Sequence, residues 1–159
     1  MKYARYTYKI NDSGSVRIIV DEKTEEVFFC ARDVAKAFGF REPGKAANDR
    51  CLNVVKAKHK TPGGVQTLNF ITKEEVNRLA ETNIDIGKIR YISILSLITE
   101  EVVGKTRRKN DDRLIDRISS AISAANRDGR GEEIDAVFIT PGGRSFRISP
   151  NGSICELME

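Results

Sequence analysis

A chain of 159 residues, 40% apolar and 31% charged, is long enough for one core, and no apolar run approaches the roughly 18 residues of a membrane span. Cys30, Cys51 and Cys155 form no CxxC pair and His59 is the single histidine, so the spacing supplies no zinc site. The net charge of +4 is unevenly spread, with 21 Lys and Arg against 14 Asp and Glu in residues 1–110, and 6 against 9 in residues 111–159.

The opening segment, MKYARYTYKINDSG, lacks the continuous apolar core of a signal peptide, which points to a cytoplasmic protein. YARYTYKI alternates and reads as a strand; NDSG is a turn, VRIIV a second strand, DEKTEE a polar turn and VFFC a third strand. In ARDVAKAF, Ala31, Val34, Ala35 and Phe38 share one helical face, with Arg32, Asp33 and Lys36 on the other side. Gly39 is placed to end that helix in the left-handed conformation, and Phe40 to fold back onto its last turn.

Pro43 suits the first turn of a second helix, KAANDRCLNVV, which offers Ala46, Ala47, Cys51, Leu52 and Val55 to the core. The short connection between these helices is that of a helix-turn-helix pair. KAKHK, TPGG and VQTLNF read as a hairpin, with Lys56, Lys58 and Lys60 alternating onto one face. TKEE has the form of a capping box, Thr72 with Glu75, and opens a helix that buries Val76, Leu79 and Ala80.

A core helix over 86–103 follows, with Ile89, Ile92, Leu95, Ile98 and Val102 at spacings of three and four. KTRRK then reads as a basic junction. The spacing predicts an amphipathic helix over 111–128, with Leu114, Ile115, Ile118, Ala121, Ile122 and Ala125 on one face and Asp111 and Asp112 at its positive end. Gly129 and Gly131 close it, and two or three short strands around TPGG and SPNG turns complete the chain.

No catalytic constellation emerges. His59 sits in an exposed lysine-rich arm, no GxSxG elbow is present, and Gly63–Gly64 and Gly142–Gly143 lack the GK[ST] ending of a phosphate loop. Asp111–Asp112, Glu100–Glu101 and Glu132–Glu133 are adjacent pairs whose side chains diverge on a helix. All three thiols read as buried or half-buried packing residues, and no cofactor is expected. The basic residues are more informative. Six Lys and Arg against two acids lie between Arg41 and Lys60. The candidate DNA-binding set is Lys36, Arg41, Lys45, Arg50, Lys56, Lys58 and Lys60, with Arg107 and Arg108 extending a phosphate-tracking surface. Asn48 and Arg50 are suitable types for adenine and guanine edges. A solvated face explains the same charges without any ligand.

The order VRIIVDEKTEEVFFCARDVAKAFGF followed by TLNFITKEEVNRLAE resembles the Bro-N domain of phage and prophage antirepressors and baculovirus BRO proteins. VFFCARDVAKAFGF is similar to the family's wFvakDVakaLGy motif, through Phe29, Asp33–Val34 and Phe38–Gly39–Phe40. FITKEEVNRL resembles its later helix through Ile71, Val76, Arg78 and Leu79. The resemblance covers about residues 15–103. It implies an α+β fold, a small antiparallel sheet packed with short helices, and a non-enzymatic DNA-binding module acting in gene control. The expected organisation is a Bro-N-like domain over 1–104, then a region over 105–159 with an amphipathic helix and a β-hairpin. Double-stranded DNA is the expected partner, with no membrane. Helix 111–128 suits either pairing of two chains on a two-fold operator or packing on its own domain. The alternative function is a protein-binding antagonist that contacts a repressor or host defence protein without DNA.

Overall fold

The computed structural model describes residues 2–10, 13–81, 83–127, 136–148 and 153–158. The chain divides into two compact units, Met1–Val103 and Gly104–Glu159. The fold is α+β. In the first unit, β1 (Tyr3–Lys9), β2 (Ser15–Asp21) and β3 (Val27–Cys30) form an antiparallel meander. The turn between β2 and β3 is built by Asp21. Its Oδ1 accepts the amides of Lys23 at 2.8 Å and Thr24 at 3.1 Å, which holds the carboxyl below the usual range.

β3 passes without a spacer into α1 (Ala31–Ala37). Gly39, at φ +83°, donates to the Lys36 carbonyl, and Phe40 donates to that of Ala35. These are the two hydrogen bonds of a Schellman cap, so the expected glycine stop is observed. Phe40 and Phe38 then both approach the ammonium of Lys88, at 6.0 and 5.7 Å, and Phe38 meets Tyr91 edge to face at 5.4 Å.

α2 spans Pro43–Arg50, shorter than the sequence pattern suggested. Cys51 is already extended, and Leu52, expected in the core, is 75% exposed. The reason lies in Glu75 of α3 (Lys73–Ala80). Its buried carboxylate accepts the amides of Leu52 at 3.2 Å and Asn53 at 3.4 Å. Those contacts draw the chain out of the helix and also replace the expected capping box, for Thr72 makes no side-chain cap.

β4 (Val55–Thr61) and β5 (Gly64–Ile71) form the second hairpin, turning at Pro62 and Gly63. β5 pairs with β3, giving a five-stranded antiparallel sheet in the order β1-β2-β3-β5-β4. Its ends lie close together, since Arg5 Nε of β1 donates to the Lys58 carbonyl of β4 at 2.7 Å. The sheet is therefore curled. Its inner face holds Ile19, Phe28, Cys30, Ala57 and Phe70; the other face joins the helices through Ile18, Phe29, Val34, Ile71, Leu79 and Leu95. Each such large buried side chain contributes roughly 1.5–3 kcal/mol of transfer free energy.

α4 is one helix of 42 residues, Ile86–Arg127. Asp85 Oδ1 accepts the Lys88 amide at 2.8 Å and caps its start. The expected break at KTRRK is absent: Lys105–Lys109 are helical and Asp111 and Asp112 lie within the helix, not at an N-terminus. Lys and Arg are good helix formers and Gly104 alone costs only about 1 kcal/mol, so nothing in this stretch stops propagation. Tyr91 is buried where Ile89 was expected, and Ile89 is 54% exposed.

In the second unit, β6 (Ala136–Ile139), β7 (Ser145–Ile148) and β8 (Ile154–Glu156) form an antiparallel sheet in that order. Asp111 is buried and accepts Thr140 Oγ1 at 2.7 Å and the Gly142 amide at 3.2 Å. Arg144 pairs with Asp112 at 2.8 Å and Glu156 at 2.9 Å. Leu114, Ile115 and Ile118 are half-buried, whereas Ala121 and Cys155 are exposed, against expectation for the thiol. The NDSG and SPNG turns and the closing glycines Gly129 and Gly131 lie wholly or partly outside the described residues.

A Cβ at Gly142 would run into the Asp111 carboxylate, which its buried hydrogen bonds hold in place. Gly142→Ala is therefore expected to destabilise the second unit by about 1–3 kcal/mol, read as an earlier loss of its protection from proteolysis. Unchanged protection in the Gly142→Ala variant would show that the carboxylate moves freely.

Candidate nucleic-acid interface

The face opposite the inner cluster is built by strand alternation. Ala57 and His59 point inward, His59 against Phe70 at 6.2 Å between ring centroids, and both are buried. This corrects the exposed placement expected of His59. Its Nδ1 lies 3.0 Å from the Lys60 carbonyl oxygen and donates to it, while Nε2 has no partner among the described residues. Burial of His59 turns Lys56, Lys58 and Lys60 outward, all three exposed.

The register fixes what stands beside them. Lys56 lies opposite Asn69, Lys58 opposite Thr67 and Lys60 opposite Val65, and directly opposed residues share a face. Asn69 Nδ2 donates to Asn48 Oδ1 of α2 at 3.3 Å. The lysine face of the hairpin and the outer side of α2 are thus continuous. Arg32 of α1, with Asn48, Thr67 and Asn69, lines a hollow of about 170 Å³ between them. One helical turn further, Lys36 shares a cleft of about 470 Å³ with Lys60, Thr61 and Pro62.

Five of the sequence candidates, Lys36, Asn48, Lys56, Lys58 and Lys60, therefore come together. Arg41, Lys45 and Arg50 stand apart around Phe40, in a hollow of about 210 Å³ that Glu42 and Asp49 also line. Arg50 stacks over Phe40 at 5.2 Å, and Lys45 lies 3.9 Å from Glu42. Arg107 and Arg108 are exposed on α4 within the second unit. Arg32, Thr67 and Asn69 were missed. Alternation through VQTLNF, read with the TPGG turn, puts Thr67 and Asn69 on the lysine face and would have found those two.

What holds α1 against this sheet is the acid of the motif. Arg17 lies one residue past the last β2–β3 partners, Ile18 and Phe29. Asp33 Oδ2 accepts its amide at 2.9 Å and its Nε at 2.8 Å, and Oδ1 accepts Nη2 at 2.7 Å. The carboxylate thus takes the place of the strand that β3 abandons, and the hydrogen bond to Asp33 raises the Arg17 guanidinium further above its ordinary value. Burial raises both the Cys30 and the Cys51 thiol, Cys51 to about 11, which keeps them in the thiol form.

A curled antiparallel sheet, a strand running directly into a capped helix, and a basic hairpin face define a small α+β module. Residues 15–82 match the family model for the BRO family, N-terminal domain, and that is the family this segment is similar to. Neither the curated proteins nor the solved structures contain a match. Among the described residues no helix is long and apolar enough to cross a membrane.

Proposed function

We propose that the Bro-N-like unit binds double-stranded DNA and that the chain is a non-enzymatic, antirepressor-like regulator of a phage or prophage, acting in the bacterial cytoplasm. The supporting observation is the continuous face formed by Lys56, Lys58 and Lys60 with Lys36, Arg32, Asn48 and Asn69; Asp33, the acid that lines its Lys36–Lys60 cleft, is paired with Arg17. Lysines two apart on a strand stand about 6.6 Å from one another, which suits contacts to a run of phosphates. Asn48 and Asn69 supply the donors and acceptors that could meet base edges, and a two-stranded ribbon fits the major groove. Two copies on one site would match a two-fold operator.

Fluorescence anisotropy on a labelled duplex tests this reading. Binding at low salt should fall steeply as salt rises, because each neutralised phosphate releases counterion. No binding at low salt would overturn it. A second reading, a protein-binding antagonist, is favoured by Val137 and Ile139, 62% and 70% exposed on the edge strand β6. It becomes the better account if no duplex binds and a repressor does.

A further inference from the structure

One side of α4 is occupied by the core through Tyr91, Leu95, Ile98 and Val102. On the opposite side Ile86 is 69% and Leu97 68% exposed, and Arg90, Ser93, Glu100 and Gly104 are exposed with them. These six follow one another at intervals of four, three, four, three and four, which is the spacing of a helix–helix seam.

The series reads the same in both directions about the level of Leu95. Laid end over end on a second copy, it brings Ile86 to Gly104, Arg90 to Glu100 and Ser93 to Leu97, each contact made twice. Every meeting is complementary, a large side chain against a small one or a cation against an anion. Space exists at the glycine, where a Cβ would find nothing within 4 Å. Arg90 and Glu100 cannot meet within one chain, since ten residues of helix set them about 15 Å apart. A parallel pairing in register would oppose Arg90 to Arg90 and Glu100 to Glu100, so the charges select the antiparallel arrangement.

We propose that α4 pairs antiparallel with α4 of a second copy through Ile86, Arg90, Ser93, Leu97, Glu100 and Gly104. The seam is about 27 Å long, which places the contact at the small end of specific interfaces. The inference is independent of DNA binding.

Sedimentation equilibrium of the full chain tests it, with circular dichroism confirming that each variant is folded. The expected result is a reversible dimer. Arg90→Glu and Glu100→Arg, both at exposed positions, should each weaken it at least about tenfold, because the two-fold axis doubles every like-charge contact. The double variant R90E/E100R should restore it. With Cys155→Ser as background, oxidation should cross-link the S93C/L97C chain as a covalent dimer and leave the S93C chain without a cross-link. A monomer at about 100 μM, a dimer indifferent to both reversals, or a double variant that stays dissociated overturns the proposal.

Discussion

Replacing Lys56, Lys58 and Lys60 together by alanine is expected to weaken duplex binding by about a hundredfold and to flatten the dependence of log K on log salt by about 2.7. The figure follows from three phosphate contacts, each releasing about 0.9 of a counterion. Stability should hardly change, because the three side chains are exposed and the inward residues of β4, Ala57 and His59, are untouched. The comparison is a chain with Lys2, Lys23 and Lys73 replaced instead, which removes the same charge from positions outside the β4–β5 hairpin. If that control loses as much affinity, net charge and not the hairpin face drives binding. Equal salt slopes in the wild type and the hairpin variant would remove β4 from the interface.

Asp33→Ala should destabilise the first unit by about 3–4 kcal/mol. The loss has two parts. The guanidinium of Arg17, its side chain only 22% exposed, is left without its anion, and the Arg17 amide loses its acceptor. Arg17→Met should cost less, about 2 kcal/mol, since Asp33 keeps the amide bond. Urea unfolding reads both as lower midpoints at an unchanged slope. An Asp33→Ala chain within about 1 kcal/mol of wild type would mean that packing of Val34 and Phe38, not the carboxylate, seats α1.

The meander, the glycine stop at Gly39 and the second hairpin were legible because each rests on local chemistry: alternation, a left-handed residue, a Pro-Gly turn. What the sequence could not disclose depended on partners far along the chain. Leu52 looks like a core residue until Glu75, 23 positions later, takes its amide. His59 looks solvated among lysines until pairing sets its face against Phe70. The basic run 105–109 resembles a linker by charge, yet nothing in it breaks a helix. The candidate site divided for the same reason. Proximity in sequence grouped Arg41, Lys45 and Arg50 with the β4 lysines, whereas strand register joined Lys56 to Asn69 and, through it, to Asn48.

The direct passage from β3 into α1 also sets how the domain tolerates change in length. With no spacer between Cys30 and Ala31, the helix inherits its phase from the strand. One inserted residue would turn α1 by about 100° and advance it by about 1.5 Å. Asp33 would swing away from Arg17, and Arg32 and Lys36 would leave the basic face in the same motion. Fold and candidate interface are thus geared to one another at this junction: it admits substitution of side chains far more readily than insertion or deletion.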